Sequence, residues 1–155
     1  MRLASVLRAT KTEIAFGTWT AGHMPPSVFR VLKNQKTMKL GASWSWRVLK
    51  FNALGNPFRV LVMLNDDKGI CRATLGLEDD ELVRVCCVHE FHPSEPGWHC
   101  HAVEDVRDSV SHWSHFGLRR WPRRPDSQAT FNADRMRALD AALRFYRVSV
   151  AGELL

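Results

Sequence analysis

The residues of this chain that could do chemistry are concentrated in one stretch, HEFHPSEPGWHCHAVED, which spans positions 89–105. It holds four of the seven histidines, one cysteine, one tryptophan and four carboxylates. Imidazoles and carboxylates bind divalent metals and carry protons in acid–base catalysis. The stretch is therefore a candidate metal site or a candidate acid–base site. The remaining interpretation is a polar hairpin that binds nothing.

The alternation of side chains along a strand decides which of these groups can meet. His99 and His101 lie two residues apart, so on a strand they share one face at a spacing of about 7 Å. In residues 81–91 the odd-numbered set is the more apolar and should face the core, as should the even-numbered set of residues 98–103. Matching these two sets predicts three cross-strand pairs: Phe91 with Trp98, His89 with Cys100, and Glu90 with His99.

This register predicts a small site on the outer face of the sheet, composed of Glu90, His99 and His101. His89 is expected on the inner face, beside thiols. The loop that follows, HPSEPG, should hold His92 apart from both faces of the sheet. A slip of one residue would exchange the two faces, so the site depends on the pairing of Glu90 with His99.

Arginines are expected next to this site. Arg84 has the same parity as Glu90 and therefore should fall on the outer face. Arg72 joins that face if the preceding hairpin places Leu77 opposite Val83. Guanidinium groups in these positions would stabilise the charge that develops on a phosphate group.

Without a metal, the cluster has the parts of a ribonuclease in which the internal 2′-hydroxyl of RNA is the attacking group. Glu90 would act as the general base, His99 or His101 as the general acid, and Arg72 and Arg84 as phosphate contacts. Since a cationic neighbour opposes the binding of a metal ion, the arginines favour this version. No cofactor is then needed.

With a metal, His99, His101 and Glu90 would form a facial triad for one divalent ion. The same stretch offers candidates for a further ligand, which are His92, Glu95, Glu104 and Asp105. His112 and His115, three residues apart on a predicted helix, could also face this side of the sheet.

The charge pattern favours a polyanionic partner such as RNA. The net charge is +6, and an acidic middle, with eleven acids in residues 66–108, lies between two basic flanks. The stretch RRWPRR is the clearest anion-binding segment. Its candidate nucleic-acid contacts are Arg119, Arg120, Trp121, Arg123 and Arg124. Trp121 would either stack on a base or pack into the core, and ordinary solubility charge explains a basic surface equally well.

The elements that must position these residues form an α+β fold in a single domain, residues 1–155. Period-two patterns and turn residues predict an antiparallel β-meander of four to five strands over about 43–103. Helical spacing predicts a C-terminal helix over about 133–147, packed on one face of the sheet, and an additional N-terminal helix over about 27–36. Residues 104–116 are a further candidate helix.

Four cysteines, Cys71, Cys86, Cys87 and Cys100, lie in apolar or alternating runs. This placement predicts buried free thiols rather than a disulfide framework. On a regular strand, the adjacent Cys86 and Cys87 would point to opposite faces. The sequence shows neither the roughly 20 continuous apolar residues of a membrane span nor a signal-peptide core. A cytoplasmic protein with no membrane partner is therefore expected.

Three functions are consistent with these features. The first is a small basic RNA-directed protein, a metal-independent endoribonuclease of the bacterial toxin or phage-conflict type. The second is a non-enzymatic inhibitor or adaptor that binds a protein partner, such as a host nuclease or a phage-defence complex. The third is a metal-dependent enzyme built on the His-x-His pair and Glu90.

Overall fold

The computed structural model describes residues 1–121 and 134–149. Its helices are α1 (Leu3–Arg8) and α2 (Arg135–Phe145), and single 3-10 turns cover Pro26–Val28 and Val106–Asp108. Its strands are β1 (Thr12–Ala15), β2 (Thr20–Ala21), β3 (Trp44–Ala53), β4 (Asn56–Asn65), β5 (Ile70–Asp79), β6 (Leu82–His92), β7 (Glu95–Ala102) and β8 (Arg119–Arg120). None of the helices in these ranges is long and apolar enough to cross a membrane.

The strands of the described chain form one antiparallel sheet in the order β1-β3-β4-β5-β6-β7-β8, and β2 also pairs with β3. The consecutive strands β3 to β7 are the meander predicted from the sequence. Leu54 and Gly55 close the turn between β3 and β4 with φ angles of 50° and 78°, the positive values that a tight hairpin turn requires. The α+β fold class is therefore confirmed.

Both faces of the sheet are covered, although the sequence suggested one open face. The two helices pack on the face that we call the helix face, where the Tyr146 hydroxyl donates to the Ala73 carbonyl at 2.6 Å. Residues 24–40 and 110–118 cover the opposite face, which we call the loop face, and bury a second apolar cluster around Phe29. A polar residue under these segments, such as Glu90, is therefore removed from solvent.

A bulge in β6 changes which side chains share a face. Cys87 lies opposite Leu75, but the next pair is Val85 with Gly76, so Cys86 is an extra residue. Cys86 and Cys87 consequently both belong to the helix-face core, which corrects the expectation that they point to opposite faces. All four cysteines are free and buried, as predicted.

Gly76 makes the loop-face packing next to this bulge possible. A Cβ atom at this position would lie 2.1 Å from Val83 Cγ1 and 2.8 Å from Phe29 Cζ. Real carbon atoms do not approach so closely, so a larger residue would displace the phenylalanine that covers the sheet here.

The helix expected over 27–36 is wrong, and the N-terminal helix of the fold is α1. In this segment, the Arg30 carbonyl accepts from the Val83 backbone N–H at 2.7 Å. The Gln35 side chain also accepts from two backbone N–H groups, those of Val31 and Leu32. These long-range and side-chain partners replace the hydrogen bonds that a helix would supply.

The candidate helix over 104–116 is also wrong beyond the 3-10 turn Val106–Asp108. Val110 and Val85 instead exchange backbone hydrogen bonds of 2.8 and 2.9 Å. The segment therefore pairs with β6 in an extended conformation and then continues across the loop face as far as His115.

Candidate functional site

Glu90 is the centre of the site. It lies on β6, directly opposite Arg72 of β5 and His99 of β7. Two predicted cross-strand pairs are therefore confirmed, Glu90 with His99 and His89 with Cys100. Glu90 is only 2% exposed, because the loop-face segments cover it. The site is thus a partly buried cluster, with a buried carboxylate at its centre, rather than an open polar surface.

Arg72 neutralises the Glu90 carboxylate. Its Nε donates to Glu90 Oε2 at 2.8 Å, and its side chain remains 45% exposed. Burial raises the pKa of the Glu90 carboxyl, but the attraction and hydrogen bond of Arg72, with smaller contributions from His115 and His99, outweigh it. The pKa is therefore lowered overall, and Glu90 is an anion at neutral pH.

Two histidines from different segments meet at Glu90. His115 Nε2 lies 3.5 Å from Glu90 Oε1, and the His115 ring stacks on that of His101 with centroids 4.2 Å apart. Glu90, His101 and His115 each offer a ligand atom, and the three atoms lie within 4.8 Å of one another. We call these three residues the outer triad, because His115 is exposed. His101 Nδ1 is buried and has no hydrogen-bond partner among the described residues.

Buried contacts on the loop face hold the segment that carries His115. The indole N–H of Trp113 donates to Gln35 Oε1 at 3.2 Å, and the Trp113 ring lies 5.6 Å from that of Phe29. The expectation that His115 could face the sheet site is confirmed. His112 instead bonds to a serine hydroxyl two residues later and belongs to neither of the ligand clusters found in the described chain.

A second trio shares the same carboxylate. Glu90, His92 and His99 also offer ligand atoms within 4.8 Å of one another, and we call them the inner triad. His99 Nε2 lies 3.4 Å from Glu90 Oε1, and the rings of His92 and His99 meet edge to face at 4.6 Å. The expectation that the turn holds His92 apart is wrong, because β6 extends to His92.

The predicted trio of His99, His101 and Glu90 is thus divided between two clusters, with the His99 and His101 rings 6.0 Å apart. Burial lowers the pKa of both histidines and outweighs the opposing attraction of Glu95 and Glu90. Both side chains are therefore neutral imidazoles at pH 7, which is the form that binds metals.

Glu95 and Arg120 extend the cluster at its edge. Glu95 Oε2 lies 3.6 Å from His99 Nε2, and Glu95 Oε1 accepts a hydrogen bond from Arg120 of β8. Two carboxylates, Glu90 and Glu95, thus face two guanidinium groups, those of Arg72 and Arg120. The charges of these four side chains cancel, so a bound divalent ion would make the site cationic.

Arg84 does not reach this site, which corrects its predicted position. Since Val83 and Val85 lie in the loop-face cluster, Arg84 between them points to the helix face, and its guanidinium donates to Ser109 at 3.0 and 2.8 Å. The β6 bulge causes the difference. Leu77 lies opposite Arg84 rather than Val83, although Arg72 still shares a face with Glu90.

Other candidates lie away from the cluster. Glu104 pairs with Arg2, and Asp105 pairs with the N-terminal amino group. His89 is stacked between Trp98 and Phe145 on the helix face.

In the basic segment, Arg119 and Arg120 are exposed on β8. Trp121 packs against the helix-face core, as one of the two sequence interpretations expected. Arg123 and Arg124 lie outside the described residues.

Comparison with protein-family models, curated proteins and solved structures finds no match for this chain. The chemistry must therefore be argued from the site itself. Four imidazoles and two carboxylates in one partly buried cluster suit divalent transition metals, which favour nitrogen ligands together with carboxylate oxygen.

Proposed function

We propose that the protein is a metal-dependent hydrolase of phosphoesters, with a divalent ion held by the outer triad. The observation that carries this proposal is the convergence of ligand atoms from Glu90, His101 and His115 within 4.8 Å. Two imidazoles and one carboxylate are a ligand set of catalytic zinc sites, which keep one position open. An ion in such a site activates water and offsets charge on a phosphoryl oxygen.

The arginines support an anionic substrate. Arg72 and Arg120 are each about half exposed, at 45% and 48%, and each is bonded to a carboxylate of the cluster. Among the described residues, Arg72 bonds to Glu90 through Nε only. This bond fixes the orientation of the guanidinium group and therefore of its two terminal nitrogens. Guanidinium groups recognise phosphate through two parallel hydrogen bonds. RNA, the polyanion expected from the charge pattern, is the substrate that we propose.

The metal-independent ribonuclease predicted first has weaker support. Glu90 is buried, and its lowered pKa makes it a poor general base. The His99 side chain is 1% exposed, and its lowered pKa leaves it without a proton to donate at neutral pH. The alternative of an inhibitor or adaptor stays a prediction, and it requires a stably bound protein partner and no turnover.

The experiment uses tag-free protein that is stripped with a chelator and mixed with labelled RNA in EDTA or with added Zn²⁺, Mn²⁺ or Co²⁺. Cleavage should require an added ion. His115→Gln should lower the rate by more than about 100-fold, since even outer-shell partners of metal ligands contribute 10–100-fold. His112→Gln, three residues earlier, is the matched control and should keep full activity. Cleavage that persists in EDTA, or that is equal in both variants, would contradict the proposal.

A further inference from the structure

The inner triad lies next to the turn between β6 and β7. The hydrolysis proposed for the outer triad uses neither His92 nor His99. We infer that the chain binds two divalent ions at once, with the second held by His92, His99, Glu90 and Glu95. This inference rests on the proposed function, because the two triads share Glu90. The second ion would occupy a closed site, whereas the first faces solvent.

The surroundings of His99 suit a bound cation. Its Nδ1 lies 3.4 Å from the Gly97 carbonyl oxygen, while its Nε2 faces Glu90 Oε1 at 3.4 Å and Glu95 Oε2 at 3.6 Å. When Nδ1 carries the proton and donates it to the Gly97 carbonyl, Nε2 can act as a metal ligand. An ion placed between Nε2 and the two carboxylate oxygens would then be held by all three atoms.

The other ring nitrogens are already oriented for this role. Metal-binding histidines usually engage their second nitrogen with a nearby oxygen, which fixes the ring and the tautomer. His99 Nδ1 has the Gly97 carbonyl, and His92 Nδ1 lies 2.6 Å from the Ser94 hydroxyl oxygen. Both partners belong to the same hairpin, so the turn between β6 and β7 orients the two rings and leaves Nε2 as the nitrogen that would bind an ion.

Burial distinguishes the inner site from the outer one. Glu90 and His99 are buried and His92 is half-buried, whereas the outer triad includes the exposed His115. With Glu95, the inner site has two nitrogen and two oxygen donors, the four protein ligands of a closed structural zinc site. The inner ion would therefore join the end of β6 to the start of β7 and fix Glu90 for the outer triad.

The test is a metal titration of the full chain, purified without a tag and stripped with a chelator. Zn²⁺ and Co²⁺ binding are counted by equilibrium dialysis with elemental analysis, and the unfolding temperature is followed in parallel. Wild type and the control His112→Gln should bind two equivalents. His92→Gln and His115→Gln should each bind one, and Zn²⁺ should raise the unfolding temperature of His115→Gln more than that of His92→Gln.

The outcomes separate the two proposals. One equivalent in wild type, lost in His115→Gln and kept in His92→Gln, would overturn the second site and leave the proposed function standing. One equivalent lost in His92→Gln and kept in His115→Gln would overturn the proposed function and the claim of two bound ions, and would leave the inner site alone. No binding at all would overturn both proposals. His92→Asn is titrated alongside, and only variants whose circular dichroism spectrum matches wild type are counted.

Discussion

Replacing Arg72 by methionine tests how much its positive charge contributes to the free energy of unfolding, and whether a metal ion can take over that contribution. The buried Glu90 carboxylate accepts a 2.8 Å hydrogen bond from Arg72 Nε. Removing one partner of a fully buried ion pair costs about 3–5 kcal/mol. Because Arg72 is 45% exposed, solvent screens part of its charge. We therefore expect the metal-free variant to lose about 2–3 kcal/mol of unfolding free energy at neutral pH.

The pH dependence of this loss has a defined sign. Arg72 helps to hold the pKa of Glu90 below its ordinary value, so its stabilisation is present above the unfolded-state pKa and is lost as the pH falls through the folded-state pKa. In Arg72→Met the effect of burial is less opposed, and the pKa of Glu90 should rise. The difference in unfolding free energy between the variant and wild type should therefore be largest at neutral pH and disappear in acid.

Zn²⁺ should reduce the difference in unfolding free energy between Arg72→Met and wild type. A bound ion would compensate the charge of Glu90 in place of the guanidinium group, and it would bind more tightly once this cationic neighbour is removed. We expect a remaining loss of less than about 1 kcal/mol in saturating Zn²⁺, by analogy with an exposed ion pair. Urea unfolding followed by circular dichroism, with EDTA or Zn²⁺, measures both values. Arg107→Met, at an 81% exposed side chain, is the control. A loss of stability that Zn²⁺ does not change would show that no ion compensates Glu90, and no loss in EDTA would show that Arg72 does not stabilise it.

Three further predictions concern the surroundings of the site. Gly76→Ala should lose about 1–3 kcal/mol in urea unfolding, because its Cβ would overlap the loop-face packing. Gly41→Ala, where the structure leaves open space, should change stability by less than about 0.5 kcal/mol, and equal losses would contradict the packing argument. Gln35→Leu should weaken Co²⁺ binding at the outer triad and spare the inner triad, as measured by titration; an equal loss at both would show that Gln35 acts on the whole fold. Burial raises the pKa of Cys71 and Cys86 to about 12, so a thiol reagent at pH 8 should label these cysteines only after unfolding, and rapid labelling of the folded protein would be the contrary result.

The register that creates the site could be predicted from the sequence. Each of the segments that became β6 and β7 has one set of alternate residues that is clearly more apolar. An alignment that brings those two sets to the same face excludes every slip of one residue. That alignment places Glu90 opposite His99, as the structure confirms.

The bulge in β6 could not be predicted, because Cys86 and Cys87 are both apolar enough to be buried and a period-two pattern does not mark an extra residue. Its consequence is large. Residues before the bulge exchange faces, which moves Arg84 away from Glu90. Gly76 opposite the bulge is a weak signal in retrospect, since a glycine within a strand often marks close backbone approach.

The histidines that complete the triads depend on tertiary contacts. His115 reaches Glu90 because Trp113 is held by Gln35, a residue 78 positions earlier in the chain. Local spacing also favoured helices in both loop-face segments, and long-range hydrogen bonds replaced them. His92 joins the site because β6 continues one residue beyond Phe91, and strand ends are among the least predictable features of a sequence.

Anomalous X-ray scattering at the zinc absorption edge, from crystals of tag-free protein grown with Zn²⁺, shows directly whether an ion occupies the outer triad. An anomalous peak is expected at the outer triad, within bonding distance of Glu90, His101 and His115. Crystals of His115→Gln grown in the same way should lack that peak, and crystals of His112→Gln should retain it. Zinc at other positions only, or a wild-type outer triad without zinc, would contradict the claim that these three residues form a metal centre.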